Sequence, residues 1–323
     1  MQGGIVLYKV LVTARSVARC QECIDLLRQN GCEVIDGAGD APRNEQEMLK
    51  LIPGMDAVIA GVDEINAPVI VAGKPTLKVI SRNGVGYNTV DVQTARENDV
   101  MVTLSVGTNN ISVCELVFGL LLAVSRNIVR QSEAVRAGGW QRVQGMELYG
   151  KTLGVVGTGH IGAEVIKRAH AFGMKTLAFD LYPRTELTGL YGTEYVSLDK
   201  LYREADLITL HVPATKDTVG MINQQVLDSM KNSAILINTA RGDLVEEAAL
   251  TAALKAGKIA GYGADTTQEE PPGKDHPFIQ LPNVVITPHC GGYTREAVVR
   301  SSVTAGEEVL RVLQGKTPLF PVK

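Results

Sequence analysis

The stretch that most constrains the fold reads TLGVVGTGHIGAEVIKRAHAFGMKTLAFD and runs from Thr152 to Asp180. It begins with a short apolar segment that is typical of a buried strand. A G-T-G-H-I-G turn follows. Apolar side chains, among them Ile161 and Val165, then recur at the spacing of one helix face. A second apolar segment ends in Asp180, about 20 residues beyond the turn. The order strand, glycine turn, helix, strand predicts a βαβ unit with parallel strands.

Each glycine of this turn has a physical task if the turn holds a dinucleotide. Gly157 permits the tight turn, Gly159 lets the backbone approach a pyrophosphate, and Gly162 lets the helix pack closely on the strand. The N-terminus of the helix then offers N–H groups and partial positive charge to the phosphates. Asp180 can accept both ribose hydroxyls, which favours NAD over NADP, and Arg184 nearby weakens that preference. The alternative is a structural glycine turn in any α/β protein.

Composition limits the classes of function. A chain of 323 residues exceeds one typical core, which predicts two domains. The net charge of −3 excludes a broad basic surface, so we expect no nucleic-acid partner. The N-terminus lacks the features of a signal peptide, and the longest apolar run, Val113–Val124, contains Glu115 and is short for a membrane span. We therefore expect a cytoplasmic protein without a membrane partner. The C-x-x-C of Cys20 and Cys23 is expected on an amphipathic helix, and no metal site is predicted.

Apolar strand-like segments alternate with helical segments from end to end, which predicts a parallel α/β fold. The first set of predicted strands is Lys9–Thr13, Glu33–Ile35, Ala57–Ala60, Lys78–Ser81 and Met101–Leu104. The second set is Thr152–Val156, Thr176–Phe179, Leu207–His211, Ala234–Asn238, Ile259–Ala264 and Val284–Thr287. A long helical region, about Asn110 to Arg136, precedes the second set. We expect the last helix, about Thr294 to Gln314, to pack on the first unit, so that the second unit is an insertion in a discontinuous first one.

Functional side chains follow three of the predicted strands. Arg241 comes after one strand, a pair of glutamates before Pro271 comes after the next, and His289 comes after the last. An arginine can hold the carboxylate of a 2-oxo acid, and a histidine paired with an acid can protonate the keto oxygen as hydride arrives from a nicotinamide. The acid is expected to raise the pKa of the histidine and to fix its ring. The alternatives are an ion pair of Arg241 with Asp243 and a structural histidine.

Seven ordered motifs resemble the D-isomer-specific 2-hydroxyacid dehydrogenase family, from about Val58 through the last helix. They are ISRNGVGYNTVD (Ile80–Asp91), GTNNISVCELVFGLLLAVSR (Gly107–Arg126), GKTLGVVGTGHIG (Gly150–Gly162), LHVPAT (Leu210–Thr215), INTARGDLV (Ile237–Val245), EEPP (Glu269–Pro272) and TPHCGG (Thr287–Gly292). The resemblance implies two Rossmann-like domains, in which an NAD-binding domain is inserted in a discontinuous flavodoxin-like substrate domain. We place the substrate domain at residues 1–105 and 294–323 and the NAD-binding domain at 106–293. A homodimer is expected.

The resemblance also implies roles for individual residues. Arg241 matches the substrate-binding arginine, Glu270 the acid that partners the histidine, and His289 the general acid/base. Asp265 matches the aspartate that binds the nicotinamide carboxamide. The loop whose N–H groups hold the substrate carboxylate matches Asn83, Gly84, Val85 and Gly86. The remaining predicted cofactor positions are Gly157, Gly159, His160, Ile161, Gly162, Asp180, Val212, Pro213, Thr218, Thr239, Ala240, Gly291 and Gly292.

Some positions depart from the family pattern, and they bear on the substrate. The usual DVFEEEP reads DTTQEEP here, and Cys290 stands in place of the usual isoleucine. The motifs are most similar to members that act on 3-phosphoglycerate, yet the loop from Ala60 to Ile70 contains two acids and no base to meet a phosphate. Arg82 is the remaining candidate for that contact, and we expect no C-terminal regulatory domain. The alternatives are a hydroxypyruvate or glyoxylate reductase and a non-catalytic NADH-sensing interaction protein.

Overall fold

The computed structural model describes residues 7–322, which form two compact units. Of the described residues, 7–109 and 293–322 belong to the first unit, and Asn110–Gly292 form the second. The chain therefore leaves the first unit once and returns to it once, and the second unit is a continuous insertion. The sequence placed these two crossings at 105/106 and 293/294.

A five-stranded sheet organises the first unit. Its strands are β1 (Tyr8–Val12), β2 (Cys32–Asp36), β3 (Ala57–Ala60), β4 (Val79–Arg82) and β5 (Met101–Leu104). The helices between them are α1 (Arg15–Ala18), α2 (Gln21–Gln29), α3 (Glu45–Leu51), α4 (Ala67–Ala72) and α5 (Val92–Glu97). All pairings are parallel, and the order β2-β1-β3-β4-β5 is that of flavodoxin-like folds. Every residue of β3 is buried because helices cover both faces of the sheet.

A seven-stranded parallel sheet organises the second unit. Its strands are β6 (Thr152–Val156), β7 (Lys175–Phe179), β8 (Glu194–Tyr195), β9 (Leu207–Leu210), β10 (Ile235–Asn238), β11 (Gly261–Ala264) and β12 (Val284–Ile286). Its helices are α6 (Asn110–Ser125), α7 (Ile128–Arg136), α8 (His160–Ala171), α9 (Thr185–Tyr191), α10 (Leu198–Glu204), α11 (Gln224–Ser229) and α12 (Glu247–Lys255). Single 3₁₀ turns lie at Gly242–Leu244 and Pro277–Gln280. The order β12-β11-β10-β9-β6-β7-β8 reverses direction between β6 and β9. Such a switch point is where doubly wound sheets bind ligands.

Two features of the second unit differ from the sequence prediction. The single helical region predicted over 110–136 is broken into α6 and α7, because Asn127 adopts the left-handed conformation with φ 51°. The two-residue strand β8 was not predicted, since so short a segment carries no alternation. Within residues 7–322, no single helix has the length and apolar composition to cross a membrane, and α6 with α7 meets that test only as a pair bent by 63°.

The last helix, α13 (Arg295–Leu313), belongs to the first unit. The Thr294 side chain caps it by accepting a hydrogen bond from the N–H of Ala297. Its buried face, with Ala305 and Val309, packs in one apolar cluster with β1 and β3. The predicted fold class is confirmed: both units are parallel α/β sheets, and one is inserted in the other.

Candidate active site

The glycine turn connects β6 to α8 at the carboxyl edge of the second sheet. Gly157 has φ 94°, and a Cβ there would lie 2.7 Å from the carbonyl oxygen of His211. A Cβ on Gly162 would lie 2.0 Å from the carbonyl oxygen of Gly157, so only glycine lets the helix start this close to the turn. A Cβ on Gly159 would meet none of the described atoms within 4 Å. Gly159 is the N-cap of α8 and has no side chain to cap it, so the helix N-terminus is presented to open space at His160.

Asp180 closes the other side of this turn. Its Oδ2 accepts hydrogen bonds from the N–H of Thr158 at 2.6 Å and from the Thr158 hydroxyl at 3.1 Å. Its Oδ1 accepts from the N–H of Tyr182 at 2.8 Å. The hydroxyl of Tyr195, on β8, donates to the Thr158 hydroxyl at 3.0 Å. The carboxylate is therefore fixed in orientation next to the glycine turn.

Arg184, which could attract a 2′-phosphate, faces a carboxylate. Its Nε donates to Glu186 Oε1 at 2.7 Å, and its backbone N–H donates to the hydroxyl of Tyr195 at 2.9 Å. Both side chains of the ion pair are well exposed, so the pair is weakly held. The positive charge of Arg184 is nevertheless partly neutralised by a neighbour two residues along the chain.

The other predicted cofactor positions lie on loops that follow β9 and β10. The Thr218 hydroxyl donates to the carbonyl oxygen of Pro213 at 2.6 Å, which closes the loop after Val212. Thr239 and Ala240 directly follow β10. The Thr239 hydroxyl is buried and has no hydrogen-bond partner within residues 7–322. A buried orphan hydroxyl is costly, so this position suits a polar group supplied by a bound molecule.

His289 and Glu270 form a hydrogen-bonded pair on the loops after β12 and β11. His289 Nδ1 lies 2.7 Å from Glu270 Oε2, and both side chains are exposed. Glu270 Oε1 also accepts from the N–H of Thr267 at 3.3 Å. His289 has φ 50°, so a left-handed backbone turns its ring towards the acid. Because a carboxylate only accepts, Nδ1 carries a proton, and Nε2 is the nitrogen that can exchange one.

Asp265 holds the loop that carries His289. The carboxylate is 2% exposed, and it accepts from the Thr287 hydroxyl at 2.6 Å, the N–H of Cys290 at 2.9 Å and the N–H of Gly291 at 2.7 Å. A Cβ on Gly291 would lie 2.9 Å from this carboxylate, which explains a glycine there, and Gly292 follows it. Burial and the Asp265 carboxylate raise the pKa of the Cys290 thiol, so the thiol stays protonated. Asp265 is thus engaged with this loop on both oxygens.

Arg241 lies on the loop after β10, the strand next to β11. Asn238 Nδ2 donates to the carbonyl oxygen of Arg241 at 2.8 Å, and Asn238 Oδ1 accepts from the N–H of Ala240 at 3.0 Å. The exposed guanidinium donates to the carbonyl oxygen of Ala240 at 2.6 Å. Among the ion pairs of the described chain, none joins Arg241 to Asp243, so the structural alternative for this arginine is not observed. The second unit therefore brings Arg241, Glu270 and His289 to one sheet edge.

The loop from Asn83 to Gly86 follows β4 in the first unit. The N–H of Asn83 donates to the carbonyl oxygen of Ala60 at 2.9 Å, and the N–H of Gly84 donates to the carbonyl oxygen of Arg82 at 2.9 Å. Two of the four predicted carboxylate donors are therefore already paired within the chain. Asn83 is clamped by two serines, because its Nδ2 donates to Ser16 Oγ at 2.8 Å and its Oδ1 accepts from Ser301 Oγ.

Two arginines of the first unit, Arg82 and Arg43, adjoin this loop and the loop after β3, and both donate hydrogen bonds within the chain. Arg82 is 8% exposed, its Nη1 donates to the carbonyl oxygen of Asn83 at 2.9 Å, and burial lowers the pKa of its guanidinium. Arg43 adjoins the loop after β3, since its N–H donates to Asp63. All three of its guanidinium nitrogens bond within the chain, to the carbonyl oxygens of Gly37 and Ala38 and to Glu47. Arg43 therefore has no free guanidinium nitrogen, whereas the buried Nε of Arg82 has no hydrogen-bond partner within residues 7–322.

A family profile described as "D-isomer specific 2-hydroxyacid dehydrogenase, NAD binding domain" matches residues 118–291 of the chain. The chain belongs to the D-isomer specific 2-hydroxyacid dehydrogenase family. The match falls within the second unit and contains the glycine turn, Asp180, Arg241, Glu270 and His289. This unit is therefore the NAD-binding domain, and the cofactor of the family, NAD, agrees with the open helix N-terminus at Gly159.

Relatives with different names resemble this member of the family. The chain is 38% identical to D-3-phosphoglycerate dehydrogenase of Archaeoglobus fulgidus over 91% of its own length and 56% of that protein. It is 41% identical to hydroxypyruvate reductase of Thermotoga maritima over 83% of its length and 88% of that protein. The crystal structure of a Thermus thermophilus protein matches 98% of the chain and all of that chain, with 39% identity and a TM-score of 0.89. The chain thus spans little more than half of the phosphoglycerate dehydrogenase that it resembles.

Several residues of the site carried no signal in the sequence. Thr158 lies inside the glycine motif at a variable position, and Tyr195 lies on the unpredicted strand β8. The sequence predicted Asn238 only as the end of a strand. An Asn directly before a loop with Arg241 is a usable signal, because asparagine side chains bond the backbone two or three residues on.

Proposed function

We propose that the protein is an NAD-dependent oxidoreductase that interconverts a small D-2-hydroxy acid and its 2-oxo acid. The observation that carries this proposal is the exposed 2.7 Å hydrogen bond between His289 and Glu270. Arg241 follows the neighbouring strand at the same sheet edge. A proton-transferring histidine and a carboxylate-binding arginine are the groups that this reaction needs. Turnover of NADH with a 2-oxo acid tests it, and binding of NADH without turnover would favour the NADH-sensing alternative.

The roles follow from the atoms that remain free. NAD supplies or accepts hydride when it is bound. Arg241 binds the substrate carboxylate and polarises the adjacent keto group. In reduction, His289 Nε2 donates its proton to the keto oxygen, and Glu270 stabilises the imidazolium through Nδ1. In oxidation, neutral His289 takes the hydroxyl proton. The loop from Asn83 to Gly86 is the further carboxylate site that we propose in the first unit.

We propose that the cofactor is held at the glycine turn and that NAD is preferred to NADP. Gly159 leaves open space for the pyrophosphate at the start of α8, while Gly157 and Gly162 permit the tight turn and the close packing of the helix. The oriented Asp180 carboxylate suits ribose hydroxyls and repels a 2′-phosphate. We expect a far larger kcat/KM with NADH than with NADPH, and Asp180→Ala to narrow that gap. Equal kcat/KM for the two cofactors would contradict this preference.

The proposed substrate is a small 2-oxo acid, either the 3-phosphoglycerate pair or an unphosphorylated one such as hydroxypyruvate or glyoxylate. The unphosphorylated alternative is favoured by one observation: Arg43, beside the loop after β3, uses all three of its guanidinium nitrogens in hydrogen bonds within the chain. Rates for phosphohydroxypyruvate, hydroxypyruvate and glyoxylate with NADH would decide between them. A kcat/KM for phosphohydroxypyruvate well above the others would reject the unphosphorylated assignment.

We also propose a homodimer in the cytoplasm. Helix α7 buries none of its own residues within the described chain, and Trp140 beyond it is 84% exposed. Exposed apolar side chains of this size favour contact with a second copy. Light scattering should give the mass of two chains, and Trp140→Ser with Val135→Ser should shift it towards one. The five unpaired cysteines suit a reducing compartment, which cell fractionation would test.

A further inference from the structure

The second unit contains a second histidine–glutamate pair. His276, on the loop after β11, has its Nε2 3.0 Å from Oε2 of Glu247, the first residue of α12. The two side chains are only 14% and 17% exposed. The His276 ring also packs edge-on against Phe278 at 4.9 Å between ring centres. The pair is thus a largely buried contact between two segments of the second unit.

The hydrogen bonds fix the state of this pair. The N–H of Phe278 donates to His276 Nδ1 at 3.3 Å, so Nδ1 is an acceptor and the proton of a neutral ring sits on Nε2. Nε2–H therefore donates to Glu247. Protonating Nδ1 would break the bond from Phe278. Both ring nitrogens are used, and His276 has no nitrogen left to exchange a proton with a substrate.

The other oxygen of Glu247 reaches the loop of the proposed catalytic acid. Glu247 Oε1 accepts from the N–H of Gln268 at 2.9 Å. The side chain of Gln268 returns to the same segment, because its Nε2 donates to the carbonyl oxygen of Val245 at 3.0 Å. Glu270, which holds His289, is two residues further along. The carboxylate of Glu247 therefore links the start of α12 to the segment of Gln268 and to the segment of His276. The segment of Gln268 leads directly to Glu270.

The backbone next to this contact is tightly packed. A Cβ on Gly242 would lie 2.1 Å from the carbonyl carbon of Thr267 and 2.4 Å from the nitrogen of Gln268. The backbone next to Arg241 is therefore pressed against the backbone that leads to Glu270. A carboxylate at the place of Gln268 could not donate to the Val245 carbonyl, whereas the amide does. This chain has the residue type that the contact requires.

We propose that Glu247 is a positioning residue for the reaction and acts through Glu270. With His276 and Gln268 it forms a brace, which holds the loop of Glu270 at the distance from which it bonds His289. The brace rests on the proposed function, because it matters to turnover only if His289 transfers the proton. It touches neither substrate nor cofactor.

The brace makes a specific prediction about proton transfer. The titratable groups of the second unit that lie at or next to His289 are Glu270, which bonds its ring, the adjacent Cys290 thiol, and Asp265, which accepts from the N–H of Cys290. Among these groups only Glu270 bonds the His289 ring. If its loop is loosened, the carboxylate moves away from the ring and stabilises the imidazolium less. Reduction should then lose its activity at lower pH than in the unaltered protein.

Three variants of Glu247 and its partners test the brace. Glu247→Ala removes both bonds, and kcat should fall about 10- to 100-fold with little change in the KM for NADH. Glu247→Gln still accepts from Gln268 but cannot accept from His276, so its loss should be smaller. His276→Gln keeps a donor towards Glu247 and should retain most activity. Glu246→Gln is the matched control, because Glu246 is an exposed carboxylate next to Glu247.

Two readouts separate positioning from mere folding. The pH profile of reduction should move to lower pH in Glu247→Ala, and so should the pH midpoint at which the NMR signal of His289 titrates. That signal is assigned by its loss in His289→Ala. A fall in activity with both midpoints unmoved, or one that only follows a lower melting temperature, would overturn the proposal. If the unaltered protein reduces no 2-oxo acid, the proposed function fails, whereas the NMR titration still tests the brace.

Discussion

The second unit contains two histidine–glutamate pairs with the same chemistry and opposite surroundings. His289 and Glu270 are 52% and 39% exposed and lie 2.7 Å apart. His276 and Glu247 are 14% and 17% exposed and lie 3.0 Å apart. In the buried pair both ring nitrogens and both carboxylate oxygens are bonded within the chain. In the exposed pair the chain bonds His289 through Nδ1, on the side away from Nε2.

This difference teaches that residue type does not decide which pair reacts. A histidine can transfer a proton only if one nitrogen reaches the substrate while the other is held in a fixed state. In the exposed pair, Glu270 holds His289 at Nδ1, and Nε2 has no hydrogen bond within residues 7–322, as that condition requires of a free nitrogen. In the buried pair both ring nitrogens of His276 are bonded within the chain, so this pair has a structural task. If this holds, the two pairs are separate in function, and changes in them should have very different effects on turnover.

The largest effect should come from removing the two rings in turn. His289→Ala should cut turnover by roughly 10²–10⁴-fold, the usual range for a lost general acid/base. NADH should still bind, as measured by its fluorescence. His276→Gln should cost far less, because it keeps the donor to Glu247. Equal losses in the two variants would erase the distinction between the pairs.

Arg241 should behave as a partner of the exposed pair. Arg241→Lys replaces a two-pronged donor by one ammonium, so kcat/KM for the 2-oxo acid should fall by on the order of 10²-fold, about 3 kcal/mol. Affinity for NADH should barely change. A variant with near-normal kcat/KM would show that this arginine has only a structural task.

The acid of the exposed pair should set the pH dependence. Reduction needs protonated His289, so its kcat/KM should fall as pH rises, while that of oxidation should rise over the same range. Glu270→Gln removes the charge that favours imidazolium, so the reduction profile should move to lower pH. Glu269→Gln is the control and should leave the profile in place. A shift in the Glu269 variant instead would reassign the partner of His289.

The smallest effect concerns a histidine that has neither an acid partner nor a free role. Burial lowers the pKa of His211 to about 3, from 6.5 for the free side chain. Between these values the unfolded chain binds a proton that the folded chain does not, so stability is full above pH 6.5 and is lost as pH falls. The loss should reach at most about 2 kcal/mol at pH 5.

The test of this linkage is urea unfolding of the protein without cofactor at two pH values. His211→Gln can keep the hydrogen bond with Thr209, which the ring makes at 3.0 Å, and it has no titrating group. Its free energy of unfolding should therefore fall less between pH 7.5 and pH 5 than that of the unaltered protein. An identical fall in both would show that His211 is not the source.

Much of the fold followed from the sequence because strands and helices have different apolar periods. The strand predicted at Ala57–Ala60 and the one at Thr152–Val156 match the structure residue for residue. The helix break at Asn127 was missed, since a left-handed residue inside an apolar, helix-forming region leaves no mark in the period. Boundaries that depend on one backbone dihedral angle are not visible in composition.

The sequence by itself determined which segments form strands and where those strands end. It therefore also determined that Arg241, Glu270 and His289 follow strand ends. In a parallel sheet those ends share one edge, so the candidate residues could be named before any coordinates. Only the tertiary structure decided the order of β10, β11 and β12, the hydrogen bonds that hold Asp180 and Asp265, and the contact of His276 with Glu247. These depend on strand register and on loops that pack against each other, such as the approach of Gly242 to Thr267. A local pattern specifies the period of a segment, whereas a contact between distant segments is specified by the whole chain folding around it.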